Sequence, residues 1–231
     1  MGKKVKKKRI RILPCIVLIL VLCFLYIIIS SLYNIPVKNI FVYGNTILND
    51  QEIIDIAYLD DYPKYYSFTK RKIVKRLEQN PYIEEVTVKR SFFHVIKIYV
   101  KEYKVLLYDY STNMYILSNG EKIDTDKVSN RGIPTLVNYV SDEVYDKFIN
   151  QLNKLDENII NQISEIKYDP SQYDNGRFFL TMNDGNYIYI NLSNFKSLNL
   201  YNDIYPNFDG HIGILYLDSG YGEASEYKIL K

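Results

Sequence analysis

ILPCIVLILVLCFLYIIISSLY, residues 12–33, is a run of 22 residues without a charged side chain. A helix of this length extends ~33 Å, enough to cross the roughly 30 Å hydrocarbon core of a bilayer. Basic residues, and no acidic ones, precede it: Lys3, Lys4, Lys6, Lys7, Lys8, Arg9 and Arg11. Because a Lys/Arg excess in short flanks marks the cytoplasmic side, the sequence predicts a single-pass helix with its N-terminus inside and the rest of the chain outside the cytoplasm.

Other interpretations of this run fit less well. A cleaved signal peptide has an apolar run of about 7–15 residues and a small-residue cleavage site. Here the run is longer and the first alanine is Ala57, so Ser30 and Ser31 are only weak substitutes for such a site. A lipid anchor at Cys23 would follow a small residue, but Leu22 precedes it. The basic flank is interpreted as a topology signal and an anionic-lipid contact.

The charge balance and the positions of the cysteines limit what the residues after the span can bind and how they can be stabilised. The chain has 29 basic and 27 acidic residues, and seven of the basic ones precede the span, which leaves a net charge near −5 for the rest. Such a balance does not predict a nucleic-acid partner. Both cysteines, Cys15 and Cys23, lie inside the span. The remaining residues, about 198 in number, therefore need a hydrophobic core rather than disulfides, and suffice for one or two domains.

A first small domain follows the span. Alternating and helical patterns predict the order strand, helix, helix, strand, strand, in residues 37–43, 49–57, 69–79, 83–89 and 95–102. Asn49 and Glu52 have capping-box spacing. Gly44 follows the first strand, where a tight turn requires a positive φ that glycine accepts without steric conflict.

A second domain is predicted from residue 104 onward. Strand patterns, an Asn119-Gly120 hairpin turn and a helix that begins after Ser141 and runs to about Leu155 indicate a mixed domain dominated by antiparallel sheet. The last predicted strand is IGILYL, residues 212–217. The polar residues after it predict a mobile tail. The whole chain is predicted as α+β, with the divisions 1–11, 12–33, 34–103, 104–218 and 219–231.

Four short runs of the first domain follow one another in a fixed order. They are Val42-Tyr43-Gly44-Asn45, Leu77 with Pro81-Tyr82-Ile83, Val86-Thr87-Val88-Lys89-Arg90, and Ile96-Lys97-Ile98-Tyr99-Val100-Lys101-Glu102. Together they resemble a POTRA domain. Directly after one basic-flanked membrane helix, this order is similar to the FtsQ/DivIB family of bacterial division proteins, over roughly residues 1–125. Three loops depart from the family pattern: Tyr62-Pro63-Lys64-Tyr65-Tyr66 replaces a Gly-rich piece, Phe92-Phe93-His94 replaces a turn with Pro, and Glu102-Tyr103-Lys104-Val105 replaces Glu-Arg-x-Pro.

The resemblance implies a non-catalytic membrane scaffold at the division septum, without a cofactor. The partners it implies are FtsL-type and DivIC/FtsB-type single-pass division proteins, and further a septal peptidoglycan synthase. It also implies that the last strand region binds a partner, here Ile212, Ile214, Tyr216, Leu217 and Asp218. A strand at a sheet edge has free N–H and C=O groups that pair with another chain. We expect Tyr216 to be an anchor; the alternative is that IGILYL is simply a core strand.

The sequence also contains one partial catalytic motif. Ser67-Phe68-Thr69-Lys70 matches the Ser-x-x-Lys core of penicillin-binding proteins, without their Lys-Thr-Gly motif. The favoured interpretation is a helix N-terminus with a capping serine; a membrane-anchored cell-wall acyltransferase using Ser67 and Lys70 is the alternative. A POTRA-bearing secretion or sensor protein is another. The two histidines, His94 and His211, fit turns, and no spacing predicts a metal site.

Overall fold

The computed structural model describes residues 12–129, 132–218 and 226–230, so the basic flank and part of the expected tail lie outside the described residues. The chain divides into two compact units, Met1–Lys101 and Glu102–Lys231. In the described ranges the helices are α1 Ile12–Tyr33, α2 Asp50–Ile56, α3 Lys70–Leu77, α4 Asp142–Leu152, α5 Glu157–Ile160 and α6 Tyr201–Ile204. The strands are β1 Asn39–Tyr43, β2 Ile83–Ser91, β3 Val95–Glu102, β4 Val105–Asp109, β5 Met114–Leu117, β6 Lys122–Ile123, β7 Thr135–Leu136, β8 Ile163–Tyr168, β9 Arg177–Met182, β10 Tyr187–Asn191, β11 Gly213–Leu217 and β12 Glu226–Ile229.

Helix α1 coincides with the predicted membrane span. An 18-residue window within Leu13–Tyr33 has a mean hydropathy of 3.0, and by length and composition α1 is the one helix among the described residues able to cross a membrane. Asn34 ends the helix: its side-chain amide donates to the carbonyl oxygen of Ser30 at 2.8 Å. The apolar side chains described along α1 are exposed, as a lipid-facing helix requires.

The first unit has the predicted β-α-α-β-β order of a POTRA domain. Its sheet has the order β1-β3-β2, with β1 parallel to β3 and Asn39 opposite Val95. The capping box between Asn49 and Glu52 is formed. Thr69 caps α3 through the backbone N–H of Lys72. The two helices bury Ile53, Ile73 and Leu77 against the sheet, because each of these elements has only one apolar face.

Gly44 adopts the predicted left-handed conformation, with φ +88°. A Cβ atom at this position would lie 2.2 Å from the carbonyl oxygen of Val100. Glycine is therefore required at position 44 for two reasons: the turn needs a positive φ, and the backbone of Val100 approaches too closely for a Cβ atom.

The second unit is built on one mixed sheet of the order β12-β11-β10-β9-β8-β7-β4-β5-β6 among the described residues. Most neighbouring pairs are antiparallel, as predicted, whereas β4–β7, β7–β8 and β10–β11 are parallel. One face of this sheet carries α4, where Phe148 stacks on Phe178 at a centroid distance of 4.5 Å. The other face is partly exposed.

Three boundaries differ from the sequence-based expectation. Helix α4 ends at Leu152 rather than about Leu155, since Asn153 is its C-cap. The single short helix expected near residues 193–202 is a succession of 3₁₀ and α turns from Phe195 to Phe208. The expectation of a mobile tail is wrong for residues 226–229, which form β12 by backbone pairing with β11.

Candidate partner-binding site

The expected binding strand, β11, lies inside the sheet rather than at its edge. It pairs in parallel with β10, where Leu215 is opposite Ile188, and antiparallel with β12, where Leu215 is opposite Tyr227. The hypothesis that this strand has a free edge is therefore wrong for β11. The outer strand of this side of the sheet is β12.

The side chains of β11 alternate between the two faces of the sheet. Leu215 and Leu217 belong to the hydrophobic core. Ile214 and Tyr216 are partly exposed on the opposite face, and Ile212, just before the strand, is 49% exposed. Of the expected binding residues, Leu217 thus supports the fold, while the side chains of Ile212, Ile214 and Tyr216 are at least partly exposed.

Asp218 is held by neighbouring strands. The Nε of Arg177 donates to its carboxylate at 2.9 Å, and the side-chain amide of Asn191 donates to its backbone carbonyl at 3.2 Å. Arg177 also lies 4.0 Å above the ring of Tyr189. These contacts fix the end of β11 to β9 and β10, so Asp218 has a positioning role.

A row of aromatic side chains crosses the open face of the sheet; we call Phe179, Tyr187, Tyr189 and Tyr216 the aromatic row. Phe179 lies 5.5 Å from Tyr187 and 4.8 Å from Tyr189, and Tyr189 lies 5.5 Å from Tyr216. The Nζ of Lys228 on β12 lies 5.0 Å above the ring of Tyr216. Such rings provide apolar contact area together with hydroxyl groups, a combination that suits a partly hydrated interface.

Tyr227 anchors β12 to the rest of the unit. Its ring is parallel to that of Phe208, with 3.8 Å between centroids. Its hydroxyl lies 2.6 Å from the carbonyl oxygen of His211, to which it donates, and 2.9 Å from Oδ1 of Asn186. Asn186 is buried and also accepts the backbone N–H of Gly213 at 2.9 Å. Burial, and then the negative charge of Asp184, raise the pKa of Tyr227, so its hydroxyl remains a donor at neutral pH.

The outer side of β12 is open to pairing. The backbone N–H of Leu230 donates to the carbonyl oxygen of Ile212 at 2.9 Å, so Leu230 and, by alternation, Lys228 direct their backbone groups toward β11. The backbone groups of Tyr227 and Ile229 then face outward. No strand among the described residues covers that side, and the side chains of Ile229 and Leu230 are 54% and 46% exposed.

The partial catalytic motif has a structural explanation. Ser67 is exposed, and its hydroxyl donates to the carbonyl oxygen of Lys64 at 2.7 Å. Thr69, rather than Ser67, caps α3, and Lys70 is the exposed first residue of that helix. Within the three described ranges, no cluster of His, Cys, Asp or Glu side chains is placed to hold a metal ion.

Sequence reasoning missed β12 and its anchor. The alternation Glu226-Tyr227-Lys228-Ile229 is a weak strand signal, which the polar residues before it obscure. The interaction of Tyr227 with Asn186 joins positions 41 residues apart and leaves no local pattern.

Comparison with known proteins agrees with the fold. Residues 35–103 match the family model of the POTRA domain, FtsQ-type. The cell division protein DivIB of Bacillus subtilis is 28% identical over 172 residues, which are 73% of this chain and 64% of that protein. The chain is therefore similar to DivIB cell division proteins, and its residues 35–103 match a POTRA domain of the FtsQ type.

Other DivIB relatives differ in how much of their length is matched. DivIB of Geobacillus kaustophilus is 26% identical over 85% of this chain and 79% of its own length. DivIB of Streptococcus gordonii is 31% identical over 81% of this chain but only 50% of its own length. The solved major extracytoplasmic domain of DivIB from Geobacillus stearothermophilus has 24% identity and a TM-score of 0.39, covering 47% of this chain and 96% of that chain.

Proposed function

We propose that this chain is a non-catalytic, single-pass membrane scaffold of the division machinery. In this proposal residues 1–11 lie in the cytoplasm, α1 is the anchor, and residues 34–103, 104–218 and the C-terminal strand lie outside the cytoplasm at the septum. The scaffold binds FtsL-type and DivIC/FtsB-type single-pass proteins and couples them to septal peptidoglycan synthesis. Similarity to DivIB cell division proteins, the match to the FtsQ-type POTRA model and the apolar α1 support the proposal.

The observation that carries the partner-binding part is the open outer side of β12. Strand addition supplies backbone hydrogen bonds along an edge, and side chains beside the edge supply specificity. Ile229 at the end of this strand and Leu230 just after it are exposed. Lys228 of the same strand lies over the ring of Tyr216, the member of the aromatic row on the neighbouring strand β11. Ile212, Ile214 and Tyr216 are thus proposed as face contacts beside the paired edge rather than as the edge itself.

The edge is tested by proline scanning of β12 in the detergent-solubilised full chain. Ile229→Pro removes an outward-facing N–H and leaves the β11 ladder intact, since proline is tolerated on the free side of an edge strand. We expect capture of the FtsL/DivIC-type partner to weaken about tenfold or more, equivalent to ~1.4 kcal/mol. Ile229→Val retains the N–H and is the matched control. Equal capture by the proline and valine variants would exclude strand addition at β12.

A further inference from the structure

Two adjacent phenylalanines are the most exposed aromatic side chains of the first unit among the described residues. Phe92 is 89% and Phe93 82% exposed, in the turn that joins β2 to β3. Tyr66, 50% exposed, and His94 lie beside them, with 6.3 Å between the centroids of these two rings. We call Tyr66 and Phe92–His94 the aromatic tip. Exposed apolar groups of this size at one end of a domain indicate a contact surface.

The backbone of the tip is unfavourable for the residues it carries. Phe93 and His94 both have φ +61°, a left-handed conformation that bulky residues rarely adopt. Two hydrogen bonds hold the turn. The backbone N–H of Lys38 donates to the carbonyl oxygen of His94 at 3.0 Å, and the hydroxyl of Tyr65 donates to the backbone carbonyl oxygen of Ser91 at 3.1 Å. Asparagine or glycine would suit position 93 better, so the turn itself does not require a phenylalanine.

The aromatic tip lies at the end of the unit that is next to α1. The backbone N–H of Tyr65 donates to the carbonyl oxygen of Ile35 at 2.9 Å, two residues after the helix ends. Three residues further along the chain, the backbone N–H of Lys38 donates to the carbonyl oxygen of His94, which belongs to the tip. Five residues span at most about 18 Å, so the tip cannot lie far from the end of α1. The ion pair between Glu84 and Lys101 marks the opposite end of the same strands.

We propose that the aromatic tip inserts into the leaflet of the same bilayer that α1 crosses, on the side where α1 ends. Phenylalanine rings bury in the boundary between headgroups and acyl chains, while the tyrosine hydroxyl and the imidazole remain at the polar surface. The insertion gives the first unit a second membrane contact and restricts its rotation about residues 34–38. This inference rests on the membrane-anchor part of the proposed function.

Depth-dependent fluorescence quenching tests the insertion. The full chain is reconstituted in phosphatidylethanolamine/phosphatidylglycerol nanodiscs that contain spin-labelled lipids, with an environment-sensitive probe at a single cysteine. Three sites are compared: Phe93→Cys at the tip and Glu85→Cys at the far end of β2, both with the native cysteines changed to serine, and native Cys23 within α1 with Cys15→Ser. We expect the probe at position 93 to lose roughly half of its fluorescence or more, since an inserted side chain reaches about 5–10 Å into the boundary region.

The three sites distinguish two outcomes: the aromatic tip does not insert into the bilayer, or α1 does not cross it. Quenching at Cys23 with none at positions 93 or 85 would overturn the insertion and leave the anchor intact. Absence of quenching at Cys23 would overturn both. Shielding of position 93 that appears only when a partner protein is added would assign the tip to a protein contact and overturn the lipid proposal.

A second variant tests whether the ring serves the membrane or the fold. Phe93→Asn suits the left-handed backbone, so we expect a thermal midpoint in detergent that is unchanged or higher. In a Phe92→Cys background, the same substitution is expected to reduce lipid quenching of the probe by about half, because the adjacent ring that inserts is lost. A lowered midpoint, or unchanged quenching, would overturn the proposal.

Discussion

A Cβ atom on Gly213 would lie 2.6 Å from Cζ of Tyr227, so these two residues fit together only because position 213 has no side chain. The same atom would also lie 2.4 Å from the carbonyl oxygen of Lys228. The glycine at the start of β11 therefore determines how closely β12 approaches, and with it the position of the outer edge of the sheet.

Gly213→Ala is expected to displace β12. Overpacking of this kind destabilises by about 1–3 kcal/mol, and the backbone N–H of Leu230, which donates to Ile212, should exchange with solvent faster. Hydrogen exchange and urea unfolding of fragment 34–231 measure the two effects. Tyr227→Ala in the same background removes the ring that the new Cβ would meet. The changes in the free energy of unfolding caused by the two substitutions should therefore be non-additive. Additive effects would show that the contact does not control β12.

Gly44→Ala is expected to destabilise the first unit more than Gly120→Ala destabilises the second. Both glycines have a positive φ, +88° and +86°, so the conformational cost is similar, at ~1 kcal/mol. Only at Gly44 does a Cβ meet a backbone atom, since Gly120 has nothing within 4 Å. Gly44→Val should be worse still, because a β-branched residue is poorly tolerated at positive φ. Thermal unfolding of fragment 34–231 gives the comparison, and equal effects would contradict it.

Tyr216→Ala is expected to weaken capture of the FtsL/DivIC-type partner by ~2 kcal/mol, because truncation of an aromatic anchor typically costs about that much binding energy. Its side chain is partly exposed beside Lys228, so the fold should persist. Binding and near-UV circular dichroism are measured together. Tyr110→Ala, a change at an exposed tyrosine outside the aromatic row, is the control. Loss of folding, or unchanged binding, would remove Tyr216 from the proposed site.

The stability of the second unit should fall on acidification, in part through Asp109. Burial acts to raise the pKa of this carboxyl group, but hydrogen bonds from Ser111 and Thr112 and the charge of Lys122 together lower the pKa below its usual 3.8. The carboxylate therefore stabilises the fold above about pH 4, and this contribution is lost as pH falls through the lowered value. The free energy of unfolding is measured by urea denaturation at a series of pH values. In Asp109→Asn it should fall less steeply below about pH 4 than in the parent protein. The exposed Asp203→Asn should leave this pH dependence unchanged.

The membrane orientation is tested with intact protoplasts. If the basic flank sets the N-terminus inside, added protease removes everything after about Asn34, including a tag at the C-terminus. A protected C-terminal tag would reverse the proposed topology.

Local physical rules were enough for the first half of this protein. The absence of charge across residues 12–33 is sufficient to predict α1, because lipid accepts only a segment that satisfies its own backbone hydrogen bonds. Likewise the capping pair Asn49 and Glu52, and the glycine at position 44, mark their elements within a few residues of sequence. Such features depend on neighbours in the chain, which the sequence displays directly.

The candidate site, in contrast, depends on pairings between distant segments. The sequence showed that Ile212 to Leu217 form a strand, but whether that strand lies at an edge depends on what pairs beside it. Only the tertiary structure brings Tyr227 to Asn186 and Phe208, and so moves the open edge from β11 to β12. It likewise places the turn at Phe92–His94 next to the end of α1, through the bond from Lys38 to His94. Hydrogen bonds and ring contacts across such separations follow from the packing of the whole unit, because no local periodicity records which strand a segment will join.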